Sequence, residues 1–293
     1  MKVLILGGRG MLGHKVWQIG RDGFECRATI RGAGVPAAQR EAFPPDETIP
    51  GVDAADFATV ERAVAQAAPD VIVNCIGIVK QLDAAADPVV SIGINALFPH
   101  RLARLAAGHG ARLIHVSTDC VYTGRAGRYT EDDPSDADDL YGRSKRLGEP
   151  TGAGALTIRT SIVGRELHGA HGLVEWFLAN RGGRVRGFTH AWFSGLTTEA
   201  LARTLVRVID RHRDLDGLFH VAADRINKRD LITLVNDAFD AGVTIEPDAT
   251  LEIDRSLDAG RFRAATGWAP DPWPEMVRRL AADPTPYDSW RQG

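Results

Sequence analysis

The fold is decided by Lys2–Gly13, "KVLILGGRGMLG", in which a short apolar run stops at once in Gly7-x-x-Gly10-x-x-Gly13. A strand that feeds directly into a glycine turn and then into the amphipathic stretch "MLGHKVWQIGR" is the opening of a β-α unit. Glycine suits that turn for three reasons: the turn is tight, a pyrophosphate must approach its backbone, and the helix packs closely on the strand. The phosphate then lies at the positive N-terminus of the helix. Gly7, Arg9, Gly10, Met11, Leu12 and Gly13 are therefore candidate cofactor-binding residues. A plain glycine-rich turn is the alternative, and the position between strand and helix weighs against it.

Outward from this motif, short apolar runs alternate with helical patterns. Strands are expected at Lys2–Leu6, Glu25–Ile30, Val71–Cys75, Arg112–Ser117 and Leu156–Thr160, separated by segments such as "TVERAVAQAA" and "ALFPHRLARLAAGHG". The alternation predicts an α/β, Rossmann-type doubly wound parallel sheet with helices on both faces. Asp56 is placed to cap "FATVERAVAQA", and "GHG" to end the long helix. After Thr160 the texture changes to Gly, His, Trp and Arg, a departure into a smaller C-terminal α/β lobe. The expected division is a dinucleotide-binding domain over 1–165, rejoined by about 195–222 through "LTTEALARTLVRVIDRH" and the strand "GLFHVA", and a substrate-binding lobe over 166–293.

Bulk properties narrow the classes. With 35 basic and 38 acidic residues and a net charge of −3, the molecule as a whole attracts neither nucleic acid nor an anionic membrane. The three cysteines, Cys26, Cys75 and Cys120, are far apart and lack a Cys-x-x-Cys pair, so unpaired thiols in a reducing compartment are expected, with no metal site. No segment reaches the roughly 18 apolar residues of a spanning helix, and the opening run lacks a cleavage pattern. A soluble cytoplasmic protein is the expectation, with a homodimer left open.

The second strand ends "CRATIRG" without the acid that would hold an NAD ribose. Arg31 there, with Arg9 in the glycine loop, could hold a 2′-phosphate through charge-assisted bonds, so NADP(H) is favoured over NAD(H). Asp53 either accepts from the adenine amino group or caps a helix. Cys75, Ile76 and Gly77 end the fourth strand and pass near the cofactor. Asn95, within "GINALFPHRLA", is either a satisfied core amide or part of a proton relay.

Chemistry concentrates further on. "STDCVYTG", Ser117–Gly124, breaks the run Leu113–Val116 with hydroxyls and an acid at the C-terminal edge of a strand, where open α/β sheets bind ligands. "YGRSK" then sets Tyr141 and Lys145 four residues apart on one helix face. A free tyrosine titrates at about 10. A nearby ammonium lowers that pKa by about 1–3, bringing proton transfer to a ketone oxygen within reach. Thr118 would donate to the same oxygen, and Lys145 would also reach the nicotinamide ribose. Asp119 either holds substrate or shapes the turn.

The chain resembles the extended short-chain dehydrogenases/reductases, and within them the dTDP-4-dehydrorhamnose reductase branch. The resemblance runs through "GGRGMLG", "INALFPHRLARLAAGHGARLIHVSTDCVY", "YGRSKRLGE", "IRTSIVG" and, more loosely, "GLFHVAA" and "RSLDAGRF". It implies a Rossmann lobe, a small lobe for a nucleotide sugar, and Thr118, Tyr141 and Lys145 as the catalytic triad. Two departures stand out: the tryptophan usual after "RTS" is Ile162, and the usual Asp-Gln-x-Gly-x-Pro-Thr stretch is "HAWFSGLTT". The pocket is rebuilt, and relatives with this pattern resemble reductases of UDP-linked 4-keto-6-deoxy-N-acetyl amino sugars for surface polysaccharide. Diphosphate donors are sought among Arg184, Arg186, Arg255 and Arg261. Trp192 and Phe193 either stack on the substrate or pack between lobes, and His190 could touch it. The acids of "TEDDPSDADD" read as a solvated loop.

Two other classes share these motifs. A 4,6-dehydratase or 4-epimerase with bound NAD resembles the chain at "STD", but a dehydratase places glutamate where Cys120 stands. A non-catalytic NADP-binding regulatory protein is the third class, and the intact Thr118, Tyr141 and Lys145 argue against it. The expectation is reduction of a nucleotide-linked 4-keto-6-deoxy sugar by NADPH.

Overall fold

The strand at the N-terminus has no polar face, and its side chains divide between two apolar layers. In the computed structural model, which describes residues 1–79 and 83–291, Val3 and Ile5 of β1 (Lys2–Leu6) enter one core layer and Leu4 and Leu6 the other. Alternation by one residue is what a strand covered on both faces must do. The first layer meets α1 (Gly13–Gly20) through Val16 and Trp17. The second meets α2 (Phe57–Ala67) through Phe57, Val60 and Val64.

Among the described residues the main sheet has seven strands, all parallel. It is built from β1, β2 (Glu25–Thr29), β3 (Thr48–Ile49), β4 (Val71–Asn74), β5 (Arg112–Val116), β6 (Ala155–Arg159) and a last strand, Gly217–His220. Their spatial order runs from Gly217–His220 through β6, β5, β4, β1 and β2 to β3. The order reverses direction between β1 and β4, which opens a crevice at the carboxyl ends of these two strands. All five expected strands are present within a residue or two, and "GLFHVA" does return to the main sheet as its edge.

One expected detail fails. Asp56 stands at the N-cap of α2, but its side chain accepts no backbone bond; its carbonyl takes the Thr59 hydroxyl at 2.6 Å instead. Asp53 makes the local turn, accepting from the Ala55 amide at 2.9 Å. Between β4 and β5 the chain runs through α3 (Pro88–Ser91), a wider helical turn over Ile92–Leu97, and α4 (Phe98–Gly108), which ends before Gly110 in the left-handed region. The helix α5 (Leu140–Leu147) precedes β6.

After β6 the chain forms β7 (Ile162–Val163), α6 (Leu173–Leu178), β8 (Arg184–Phe193) and β9 (Leu196–Thr197). It then returns through α7 (Thr198–Arg211) and Gly217–His220, which is β10. A separate three-stranded sheet places β8 between β11 (Ile226–Asn227) and β12 (Thr244–Asp254), with α8 (Lys228–Ala238) packed on it. The remaining helices are α9 (Gly260–Thr266), α10 (Trp273–Ala281) and α11 (Tyr287–Arg291). The last turns back to α1. The Tyr287 hydroxyl sits 2.9 Å from His14 Nε2 and 2.7 Å from the Asp283 carboxylate, and Lys15 forms an ion pair with Asp283. His14 Nδ1 is 2.8 Å from the Gly10 carbonyl, which only accepts, so Nδ1 carries the proton.

Candidate active site at the sheet's carboxyl edge

The glycine loop is held by β2. The Gly7 amide donates to the Thr29 hydroxyl at 3.2 Å, the Gly8 amide to the Thr29 carbonyl at 2.9 Å, and the Gly10 amide to the Gly7 carbonyl at 2.9 Å. A Cβ on Gly13 would lie 2.1 Å from the Gly7 carbonyl oxygen, so only glycine lets α1 begin this close to the turn. A loop this tight, exposing its backbone at Gly10 and backed by buried Leu12, fits a dinucleotide pyrophosphate. Arg9 is tethered, its Nε donating to Gln39 at 2.9 Å and its guanidinium lying 3.4 Å from His168. Met11 meets the loop at Gly172. Arg31 is exposed and makes no ion pair among the described residues.

Opposite this loop, Cys75, Ile76 and Gly77 leave β4 and form the second wall of the crevice. Asn95 clamps them: it accepts from the Ile78 amide at 2.9 Å, donates to the Ile78 carbonyl at 3.1 Å and reaches the Ser144 hydroxyl at 3.4 Å. Its side-chain amide is thus fully hydrogen-bonded within the protein. A Cβ on Gly77 would lie 3.5 Å from Asn95 Oδ1 and 3.7 Å from Lys145 Nζ, so the lysine borders the same crevice.

Thr118, Tyr141 and Lys145 come together at the end of β5. Thr118 caps the short turn Asp119–Val121 by accepting from the Cys120 amide at 3.1 Å, and its hydroxyl donates to the Asp119 carboxylate at 3.2 Å. Lys145 Nζ donates to the Val116 carbonyl at 3.0 Å. The approach of α5 depends on Gly142, where a Cβ would stand 2.3 Å from the Cys120 carbonyl oxygen. The Asp139 side chain caps this helix through the Gly142 amide at 2.7 Å.

The expected acidification of the phenol by Lys145 is reversed here. Burial raises the Tyr141 pKa and the Asp119 carboxylate pushes the same way, while Thr118 opposes them. Burial lowers Lys145 to about 8 against the pull of Glu149 and Cys75, so its ammonium is held ready to lose its proton. Burial raises Asp119, with Arg255 and Lys228 opposing. Cys120 is driven up to about 12 by burial and then by Asp119, which keeps it a thiol at neutral pH and removes it as a base.

Behind the triad lies a buried ion pair that the sequence reading missed. Glu149, at the end of "YGRSKRLGE", takes two bonds from Arg159, both at 2.8 Å, and one from the Ser117 hydroxyl at 2.7 Å. Arg159 continues to the Tyr122 hydroxyl at 2.6 Å. The network joins the ends of β5 and β6 to the loop beyond, next to Thr118. The only available signal was "IRT", an arginine inside an apolar strand.

Of the second group of candidates, Arg255 faces the triad. Its Nε donates to the Tyr122 carbonyl at 2.9 Å and its guanidinium lies 3.9 Å from Cys120 Sγ. Arg184, Arg186 and Arg261 are paired with Glu246, Asp248 (3.1 Å) and Asp132 (2.6 Å) instead. Trp192 lies under the Arg225 guanidinium at 4.3 Å, while Phe193 is buried against Trp273. His190 is exposed, and Ile162 is partly buried beside β9. Thr130 and Thr123 are held by Asp133 and Asp136 of the acidic loop. Among the described residues no cluster of His, Cys, Asp or Glu is placed for a metal, the three thiols are unpaired, and no helix is long and apolar enough to cross a membrane.

This arrangement agrees with known proteins. The family model described as the RmlD substrate binding domain matches residues 1–279. The chain belongs to that family. A dTDP-4-dehydrorhamnose reductase of Streptomyces griseus is 34% identical over 50% of this chain and 43% of its own length, so the match spans less than half of that relative. A probable dTDP-4,6-dihydroxy-2-methyloxan-3-one 4-ketoreductase of Streptomyces antibioticus is 29% identical over 99% of this chain and 88% of its own. Among solved structures, a dTDP-4-dehydrorhamnose reductase of Bacillus anthracis in complex with NADP superposes with a TM-score of 0.75 at 19% identity, covering 97% and 99% of the two chains. At that identity the likeness concerns the fold.

Proposed function

We propose that this member of the RmlD family is an NADPH-dependent reductase of a nucleotide-linked 4-keto-6-deoxy sugar. The observation that carries the reading is the close seating of α5, which bears Tyr141 and Lys145, against the turn after Thr118 at the carboxyl edge of a parallel sheet: Lys145 Nζ donates to the Val116 carbonyl at 3.0 Å and borders the cofactor wall at Gly77. The glycine loop and Lys145 hold the dinucleotide, and bound NADPH supplies a hydride. Arg31 takes the 2′-phosphate. Thr118 and Tyr141 orient the ketone oxygen between two hydroxyls, and Tyr141 gives it the proton. A phenol whose pKa is raised is a donor by default at neutral pH, which suits reduction. Its replenishment by Lys145 is eased because that ammonium is lowered to about 8. Cys120, held as a thiol, is unsuited to the base role a dehydratase needs there.

The three-stranded sheet, α8 and the chain beyond form the nucleotide-sugar lobe, with Arg255, Asp119, Cys120, Ile162 and Trp192 as its contacts. Both relatives' names support a dTDP-linked substrate. The changed positions at Ile162 and "HAWFSGLTT" favour a UDP-linked N-acetylated sugar, as a precursor of surface polysaccharide. The test is NADPH oxidation with a panel of dTDP- and UDP-linked 4-keto-6-deoxy sugars. Tyr141→Phe is expected to lower turnover about 10²–10⁴-fold with NADPH affinity retained. Loss of less than tenfold refutes the assignment of the proton donor.

A further inference from the structure

Near Asp119 and Cys120 stands a cation to which the proposed mechanism gives no task. Lys228 is the first residue of α8, after the cap Asn227, and its ammonium lies 4.0 Å from the centre of the Phe193 ring. The charged or ionisable groups around it are Asp119, Cys120 and Arg255. Among the described residues no acceptor lies within hydrogen-bond distance of this ammonium. Arg255, by contrast, already donates to the Tyr122 carbonyl.

Lys228 holds its charge against three opposing influences. The side chain is partly buried, the position is the positive end of an eleven-residue helix, and a guanidinium is close by. Burial is the strongest of these and brings the ammonium down to about 8. An uncharged residue would serve α8 better on every count. The aromatic face steadies one side of the cation. An ammonium has three donors and accepts nothing, so the side turned from Phe193 has hydrogens to give. Asp119 and Cys120, the two residues that follow Thr118, are among the groups whose electrostatics reach this ammonium.

We infer that Lys228 is a specificity-determining residue, donating to an acceptor oxygen on the sugar beside the reacting carbonyl, a hydroxyl or an amide carbonyl, while Phe193 fixes the side chain. The inference rests on the nucleotide-sugar reading for the identity of the ligand. It is distinct from diphosphate recognition, and binding separates the two. The full chain loaded with NADP⁺ is titrated with dTDP, UDP, dTDP-glucose and UDP-N-acetylglucosamine by calorimetry.

Lys228→Met, which keeps the stem on Phe193, is expected to weaken the better-bound nucleotide sugar about 10- to 100-fold, the worth of a charged hydrogen bond. The matching nucleoside diphosphate should change less than twofold, with NADP⁺ affinity and melting midpoint unaltered. Lys228→Gln, which retains a donor, should lose less, and it carries the test if the Met variant does not fold. An equal loss for diphosphate and nucleotide sugar overturns the inference in favour of a diphosphate contact. No loss for either overturns it outright. A wild-type chain that binds none of the four nucleotides overturns the reductase reading and this inference with it.

Discussion

Replacing Glu149 by leucine removes the only carboxylate among the described residues that meets Arg159, whose own exposure is 1%. The guanidinium keeps the Tyr122 hydroxyl and Ser135, but its Nε is orphaned and the Ser117 hydroxyl loses its acceptor. Burial lowers the affinity of Arg159 for its proton and Glu149 more than offsets this, so the variant leaves a charge in the core that nothing neutralises. Breaking one side of a buried pair costs about 3–5 kcal/mol. With an unfolding entropy of about 2.1 cal/mol/K per residue, a chain of this length loses about 1.6 °C per kcal/mol, so the melting midpoint should fall by about 5–8 °C. The double variant Glu149→Leu with Arg159→Leu removes both charges and should recover at least half of that loss. Differential scanning calorimetry at neutral pH measures both. A fall below 2 °C in the single variant, or no recovery in the double one, refutes the claim that this pair is a coupled, desolvated unit.

Arg31→Asp should raise the KM for NADPH tenfold or more while leaving that for NADH within about twofold, in steady-state assays with both cofactors; parallel changes would mean that Arg31 does not read the 2′-phosphate. Gly142→Ala puts a Cβ within 2.3 Å of the Cys120 carbonyl oxygen, so α5 must retreat and kcat should fall at least tenfold, whereas a change within twofold would show that Tyr141 does not need this approach. His14 and His220 are both lowered to about 4, chiefly by burial, against about 6.5 when unfolded. Below 6.5 the unfolded chain therefore binds more protons, and each histidine withdraws up to about 1.4 kcal/mol of stability per pH unit as pH falls towards 4. Urea unfolding between pH 7 and 4 should show a shallower decline in His220→Gln than in the wild type.

The sheet was legible because its strands are apolar on both faces, a pattern that depends only on local residue order. The glycine loop was legible for a similar reason: strand, turn and helix are contiguous in the chain. Tyr141 and Lys145 could be paired because four residues make one helical turn. What lay beyond reach joins residues distant in sequence. Glu149 and Arg159 look like ordinary surface charges until β5 and β6 are set side by side. Lys228 is one of two cations in "NKRD", and only the packing of α8 beside β8 brings it to Asp119. Of the four arginines offered for a diphosphate, Arg184, Arg186 and Arg261 are paired with acids from other segments, which no local reading shows. The acidification of Tyr141 expected from helical spacing gives way to burial, which no spacing reveals.

The contact between Tyr287 and His14 has a consequence for the order in which the nucleotide turn is braced during folding. The Gly10 carbonyl belongs to the turn meant for the pyrophosphate, and its partner His14 finds a buried hydroxyl only in a residue 273 positions later. A chain emerging from the ribosome can pair β1 with β2 early, yet it must wait for α11 before that turn is braced. Nucleotide affinity should therefore report on whether α11 has docked against α1.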